Sequence, residues 1–337
     1  MSSSIILPMQ YPIITSWQWV ANSFAVLGNY PETEPWIMNH FIQLQLTTNP
    51  GRISAFVDFF RTPVFEYCPW LFHQHLKRET VRFINEDICA FIVDCINLNN
   101  YIYGVFDQAF FIEGHDSLPH DLFIYGYDLE RQVFHAADFT FTGKYSFAEV
   151  PFEQLEKAYH AIEGDEDWLF SGKGGLSLIS FDDSLGYEFN ISNVAAQLEG
   201  FLTGHNCFEK SREMTHKTNP CVYGLGVYDQ LIENLIKIQN KEQGADYRPF
   251  HVLCDHKALM LRRIPFLEQY GYLKPGTNLA ERYQSIENDA FLCRNLLIKY
   301  MKTEQSSIID KIITNIRKIR NEEGEQIESL LSNLVIV

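Results

Sequence analysis

Basic residues are scarce in this chain of 337: 27 lysines and arginines stand against 43 aspartates and glutamates, for a formal net charge of −16. That balance argues against a polyphosphate or nucleic-acid partner. The late basic group of Lys311, Arg317, Lys318 and Arg320 is interleaved with or followed by Asp310, Glu322 and Glu323, so it reads as a solvated helix face. Apolar runs of membrane-spanning length are missing too, because Asn, Asp, Glu or His interrupts each greasy stretch. The opening MSSSIILPMQYP has no positively charged segment, so no secretory signal is expected and the reading is a cytoplasmic protein. Seven cysteines form an odd set without repeated spacing, which reads as buried reduced thiols and not as a disulfide framework. There is no internal repeat, and Gly172-Lys173-Gly174-Gly175 lacks P-loop spacing and context, so it reads as a flexible linker. No cofactor is implied.

What is present is core material. Apolar residues make up 46% of the chain and charged residues 21%, enough for one large hydrophobic core or two ordinary ones. A shift in composition falls near Gly164–Asp167 and the glycines that follow. It suggests an α+β part over 1–165 and a mainly helical part over 176–337 packed on the first.

In the first part, Pro31 to Leu46 reads as a helix, and a second helix is expected after Cys68, where Pro69 suits the first helical position. Ile88, Phe91, Ile92, Cys95 and Ile96 recur at helical spacing and predict a helix over 86–98 with Asn85 as its cap. Tyr101 to Phe111 reads as a central strand, apolar on both faces. Leu122–Tyr127 and Gln132–Phe139 read as a hairpin around Asp128-Leu129-Glu130-Arg131, and Pro151 starts a helix. The second part predicts helices over 191–202, 223–239, 250–270, 279–302 and 306–334. Pro265 is expected to kink the third and Gly324 to break the last.

The hairpin carries the candidate chemistry. His120 opens one strand and Asp138 closes the other, so both lie at its open end. A turn centred on Leu129 and Glu130 sets His120 against Phe139, and a longer turn or a bulge brings Asp138 opposite it. A carboxylate there can fix the tautomer of the imidazole and stabilise its protonated form, which is what a catalytic base requires. Asp107, near the end of the central strand, and Tyr103 on the same strand are candidate substrate-binding residues, with a structural hydrogen bond the other reading of Asp107. His115 and Asp116 read as loop residues. His251, Asp255 and His256 read as a polar patch on a helical bundle, and no metal site is assigned.

The run His120-Asp121-Leu122-Phe123-Ile124-Tyr125-Gly126-Tyr127-Asp128, with Phe134-His135-Ala136-Ala137-Asp138-Phe139 after it, resembles the strand pair of papain-like peptidases of the bacteriocin-leader-processing type. More narrowly it is similar to the N-terminal domains of the butirosin biosynthesis protein H family, and Asp87 through Phe111 fit the same template. The resemblance implies a papain-like cysteine-peptidase-type first half with an antiparallel sheet, His120 as base and Asp138 as its orienter. It also implies a place in bacterial peptide or polyketide natural-product assembly, as an acyltransferase or amide hydrolase with an acyl carrier protein or peptide intermediate as partner. The family sets its cysteine at the start of an early helix. Here no cysteine precedes Cys68, and the expected region holds Glu34, Pro35, Trp36 and His40. Two readings follow. Cys68, beside Pro69 at an expected helix start, is a candidate nucleophile whose thiolate the helix N-terminus would favour. Alternatively Cys68 is a core residue, and the protein is a non-catalytic homologue serving as an accessory or binding protein.

Overall fold

Tyr101 to Asp107 form a strand in which every residue is buried, as expected of a chain segment with neighbours on both edges and both faces covered. Around it the first of two compact units is built. The computed structural model describes residues 3–47, 55–60, 64–112, 114, 116–169, 174–206 and 221–336. Unit 1 comprises Met1–Glu32 and Pro63–Gly186, and unit 2 comprises Thr33–Thr62 and Tyr187–Val337. The protein is therefore α+β, with antiparallel sheets in the N-terminal part and helices towards the C-terminus. The break read near Gly164–Gly175 is replaced by one at Gly186, and the segment 33–62 groups with the C-terminal unit.

Unit 1 carries β1 (Ser4–Ile6), α1 (Gln18–Leu27), β4 (Leu71–Leu76), α3 (Arg78–Ile84), α4 (Ile88–Asn97), β5 (Tyr101–Asp107), β6 (Pro119–Asp128), β7 (Val133–Asp138), β8 (Ser146–Pro151), α5 (Phe152–His160) and β9 (Leu176–Phe181). The sheet order is β4-β9-β5-β6-β7-β8, with β1 added to the end of β6, and the pairings are antiparallel. The helix expected after Cys68 is instead β4. Its Leu-Phe-His-Gln-His-Leu sequence pairs residue for residue with β9, a partner about a hundred positions away that no local signal announces. Asp87 rather than Asn85 caps α4, accepting from the Ala90 amide at 3.0 Å.

Glycine at position 175 has a definite function. Its φ is +93°, and a Cβ there would lie 2.1 Å from the Leu76 carbonyl oxygen. Its amide also donates to Asp167 at 2.7 Å, and Asp167 pairs with the buried Arg78 at 2.9 Å. Gly174–Gly175 thus form the packed entry to β9, while Gly172 and Lys173 lie outside the described residues.

Unit 2 opens with α2 (Glu34–Asn39) and continues with β2 (Gln43–Thr47) and β3 (Phe56–Phe60), so the helix expected over 31–46 stops short. Phe41, at φ +59°, turns the chain from helix to strand. With β10 (Cys221–Tyr223) these strands make a small antiparallel sheet in the order β10-β2-β3. The helices are α6 (Ile191–Thr203), α7 (Gly226–Gln239), α8 (Arg248–Gln269), α9 (Leu279–Thr303) and α10 (Ser306–Asn333), within a few residues of the expected bounds. Neither Pro265 in α8 nor Gly324 in α10 ends its helix. No helix among the described residues is long and apolar enough to cross a membrane.

Candidate functional site

The hairpin between β6 and β7 is set at its closed end by Asp128, whose carboxylate accepts from the amides of Glu130 and Arg131, each at 3.0 Å. Gln132 completes the turn at φ +54°. Pairing runs Asp128↔Val133, Tyr127↔Phe134 and Gly126↔His135, then shifts at a bulge to Ile124↔Ala136 and Phe123↔Ala137. Tyr125 is the extra residue, and its insertion matters because side chains alternate along a strand. Counting on from Phe123↔Ala137 sets Leu122 against Asp138 and puts His120, two residues further, on the same side of its strand. Without the bulge, Phe123 would oppose Asp138 and His120 would point away.

The outcome is a close group. His120 Nδ1 lies 3.2 Å from Asp121 Oδ1 and 3.6 Å from Asp138 Oδ1, with the Asp121 carbonyl also at 3.2 Å. Three oxygens around Nδ1 fix the proton there, so the neutral ring carries its lone pair on Nε2. The His120 side chain is 37% exposed while the two carboxylates are 2% and 0% exposed. A partly accessible imidazole backed by buried carboxylates has the arrangement of a general base. Asp121 is held in turn by the Tyr103 hydroxyl, which donates to its Oδ2. Burial pushes the Asp138 carboxyl up to about 6, against the opposing pull of His120.

That shift has a consequence for stability. An acid raised in the folded state contributes stability that is fully present below its unfolded value of about 3.9 and is lost as pH rises through about 6. Asp138→Asn removes the charge to be buried. The variant should match the parent near pH 4 and be more stable by about 2–3 kcal/mol at pH 8. Denaturant midpoints at the two pH values check this, and a parent that is the more stable at pH 8 would contradict it.

The other candidates are placed elsewhere. Cys68 is not at a helix start; it follows the 3-10 turn Val64–Glu66 and precedes β4. It is 5% exposed, and burial pushes its thiol up to about 12 although the Trp70 and Leu71 amides favour the thiolate. It lines a cavity of about 370 Å³ together with Phe65, Phe72, His73 and Asp182, and His120 is not among the lining residues. Asp107 is buried and accepts from the amides of Ala109 (3.1 Å) and Leu118 (2.7 Å), and the buried Tyr103 is committed to Asp121. Both side chains are thus buried and engaged in hydrogen bonds within unit 1. The helix holding Glu34, Pro35 and Trp36 is α2, which belongs to unit 2 and not to the unit that carries His120.

His115 lies outside the described residues, as does Cys207. His256 and Asp255 are not on a surface patch but buried in unit 2, and His251, half-buried, meets Arg294 at 3.0 Å and is pushed down to about 4 by burial. Among the described residues no group of three or more His, Cys, Asp and Glu is placed to hold a metal ion.

Sequence reasoning missed α1 and what it brings. Nine of its ten residues are buried, polar ones included, so the helix has no solvent-facing polar side to betray it. The usable signal was the stretch from Gln18 to Leu27, free of proline and glycine and closed by Gly28. Its Gln18 donates through Nε2 to the carbonyls of Asp121 (2.7 Å) and Ala137 (3.3 Å), and its Asn22 accepts from Tyr145 at 2.8 Å. Gln108 also donates to the Asp121 carbonyl, at 3.1 Å. Compared with known proteins, the chain matches no family model and no curated protein.

Proposed function

We propose that this protein catalyses acyl transfer or amide hydrolysis on a papain-like framework, with His120 as general base and Asp138 as its orienter. The observation that carries the reading is the His120 group itself: Nδ1 is 3.6 Å from a buried Asp138 carboxylate, and the ring is left partly open to solvent. Nε2 takes a proton from the attacking group as that group adds to an acyl carbonyl, then returns it to the leaving group. The resemblance supplies the papain-like relationship and the class of partner, an acyl carrier protein or peptide intermediate of natural-product assembly.

The attacking group in this reading is not Cys68. A thiol pushed up to about 12 holds negligible thiolate at neutral pH, and Cys89, Cys95, Cys254 and Cys293 are pushed up to about 11 or 12 by burial as well. This reading takes the nucleophile to be a hydroxyl or amine of the acceptor, or water. The same observation favours a second reading, in which the protein binds an acylated partner without turning it over.

Hydrolysis and aminolysis of acyl-pantetheine thioesters and p-nitrophenyl esters separate the two. His120→Gln should lower turnover ~100-fold, the usual worth of a positioned base, and Cys68→Ser should leave it unchanged. Turnover insensitive to His120, alongside retained binding of acylated carrier protein, would establish the binding reading. Loss of turnover in Cys68→Ser would restore the thiol.

A further inference from the structure

We propose that Gln18 is a positioning residue for the candidate base: its side-chain amide staples together the open ends of β6 and β7 and so sets the distance between His120 and Asp138. The proposal rests on the reading of His120 as a base oriented by Asp138.

Along the hairpin, the β6–β7 register ends at Phe123↔Ala137. His120 and Asp138 lie just beyond that point, one on each strand, where backbone pairing between the two strands no longer fixes their separation. Gln18 reaches this gap from the first turn of α1. Its Nε2 donates to the Asp121 carbonyl at 2.7 Å and to the Ala137 carbonyl at 3.3 Å, one acceptor on each strand. Asp121 is the residue after His120, and Ala137 the residue before Asp138. One NH2 group with two hydrogens thus does across the open end what ladder bonds do elsewhere.

Two further observations favour a positioning role over simple packing. The Asp121 carbonyl takes a second amide bond, from Gln108 at 3.1 Å, so the backbone beside His120 is held from two sides. The oxygens of both amides, Gln18 Oε1 and Gln108 Oε1, are buried without a hydrogen-bond partner among the described residues. A buried amide with an unmet oxygen is unfavourable. An apolar side chain of the same length would fill the space without that penalty, so what glutamine adds at position 18 is its pair of donors.

The test is a double-mutant cycle read on His120 itself by long-range ¹H–¹⁵N NMR of the imidazole, assigned with His120→Gln. Titrations are recorded for the parent, Asp138→Asn, Gln18→Met and the double variant. Asp138→Asn should displace the His120 titration midpoint in the parent and lose most of that effect in the Gln18→Met background. A merely structural Gln18 would lower the melting temperature and leave the displacement intact, and an equal displacement in the two backgrounds would overturn the proposal. If Asp138→Asn moves nothing in the parent, the base reading fails and this one fails with it, an outcome distinct from the first. Should Gln18→Met not fold, Gln18→Glu keeps the volume, replaces the donors with acceptors at neutral pH, and carries the same two outcomes.

Discussion

Glu323→Ala should destabilise the helical unit by about 3–5 kcal/mol, the range found when one partner of a buried ion pair is removed. Glu323 is wholly buried in α10 and accepts from three donors: Lys257 Nζ of α8 at 2.6 Å, and the hydroxyls of Tyr228 in α7 and Tyr283 in α9. Lys257 is also wholly buried, and its three ammonium hydrogens have three acceptors, namely Glu323, the Tyr228 hydroxyl at 2.6 Å and His256 Nδ1 at 2.9 Å. His256 can accept there because its Nε2 donates to the Ile42 carbonyl at 2.8 Å, and burial beside Lys257 holds the ring neutral, well below its ordinary range. Four helices therefore meet on one carboxylate, and every polar group of the cluster has a partner.

Such a network is costly to break because the remaining charge has nowhere to go. Alanine at 323 strands the Lys257 ammonium, already pulled below its ordinary range by burial, and two tyrosine hydroxyls. Guanidinium titration followed by helical circular dichroism measures the loss. The double variant Lys257→Met with Glu323→Leu removes both charges and should recover part of it, since an apolar pair avoids the desolvation cost. A loss below about 1 kcal/mol in Glu323→Ala would show that the ion pair is not held away from water.

What was legible in the sequence follows the range of the interactions that set it. The helices of unit 2 were legible almost to the residue because apolar spacing such as Ile309, Ile312, Ile316 and Ile319 is local and every one of those side chains is buried. The hairpin was legible because Asp128 makes its turn with amides two and three residues away. β4 and β9 were not, because each is a strand by virtue of distant partners: β4 pairs with β9, and β9 also with β5. Pro69 is followed by β4 and not by a helix. In the site, His120 and Asp138 could be placed at one end of a hairpin, but the bulge at Tyr125 that gives them a common side could not. The burial that silences Cys68 was equally hidden, since a thiol next to a proline reads the same whether it faces solvent or the core. Lys257 and Glu323 lie on different helices, 66 residues apart, and nothing local links them.

The division of strands between units gives the remaining large effect: residues 1–165 expressed alone should not fold. That fragment ends before β9, which lies between β4 and β5 and pairs with both. Without it β4 loses the pairing of all its six residues, and β5, buried along its whole length, becomes an edge with unpaired amides and carbonyls. Asp167 and Gly175 both lie beyond residue 165, so the buried Arg78 would keep its carbonyl bonds to Tyr159 and Val105 but no carboxylate. The fragment also retains 33–62, whose partners lie in the missing part: Gln197 donates to Asn39, His256 meets Ile42, and Arg263 donates to Met38 and His40. It would therefore expose apolar strands at two places and should appear in inclusion bodies, or as soluble material without a cooperative melt. Soluble expression, differential scanning calorimetry and near-ultraviolet circular dichroism decide the matter. A single cooperative transition with native-like aromatic ellipticity would mean that β9 is dispensable, and the sheet order given for unit 1 would then not describe what holds β4 and β5 in place.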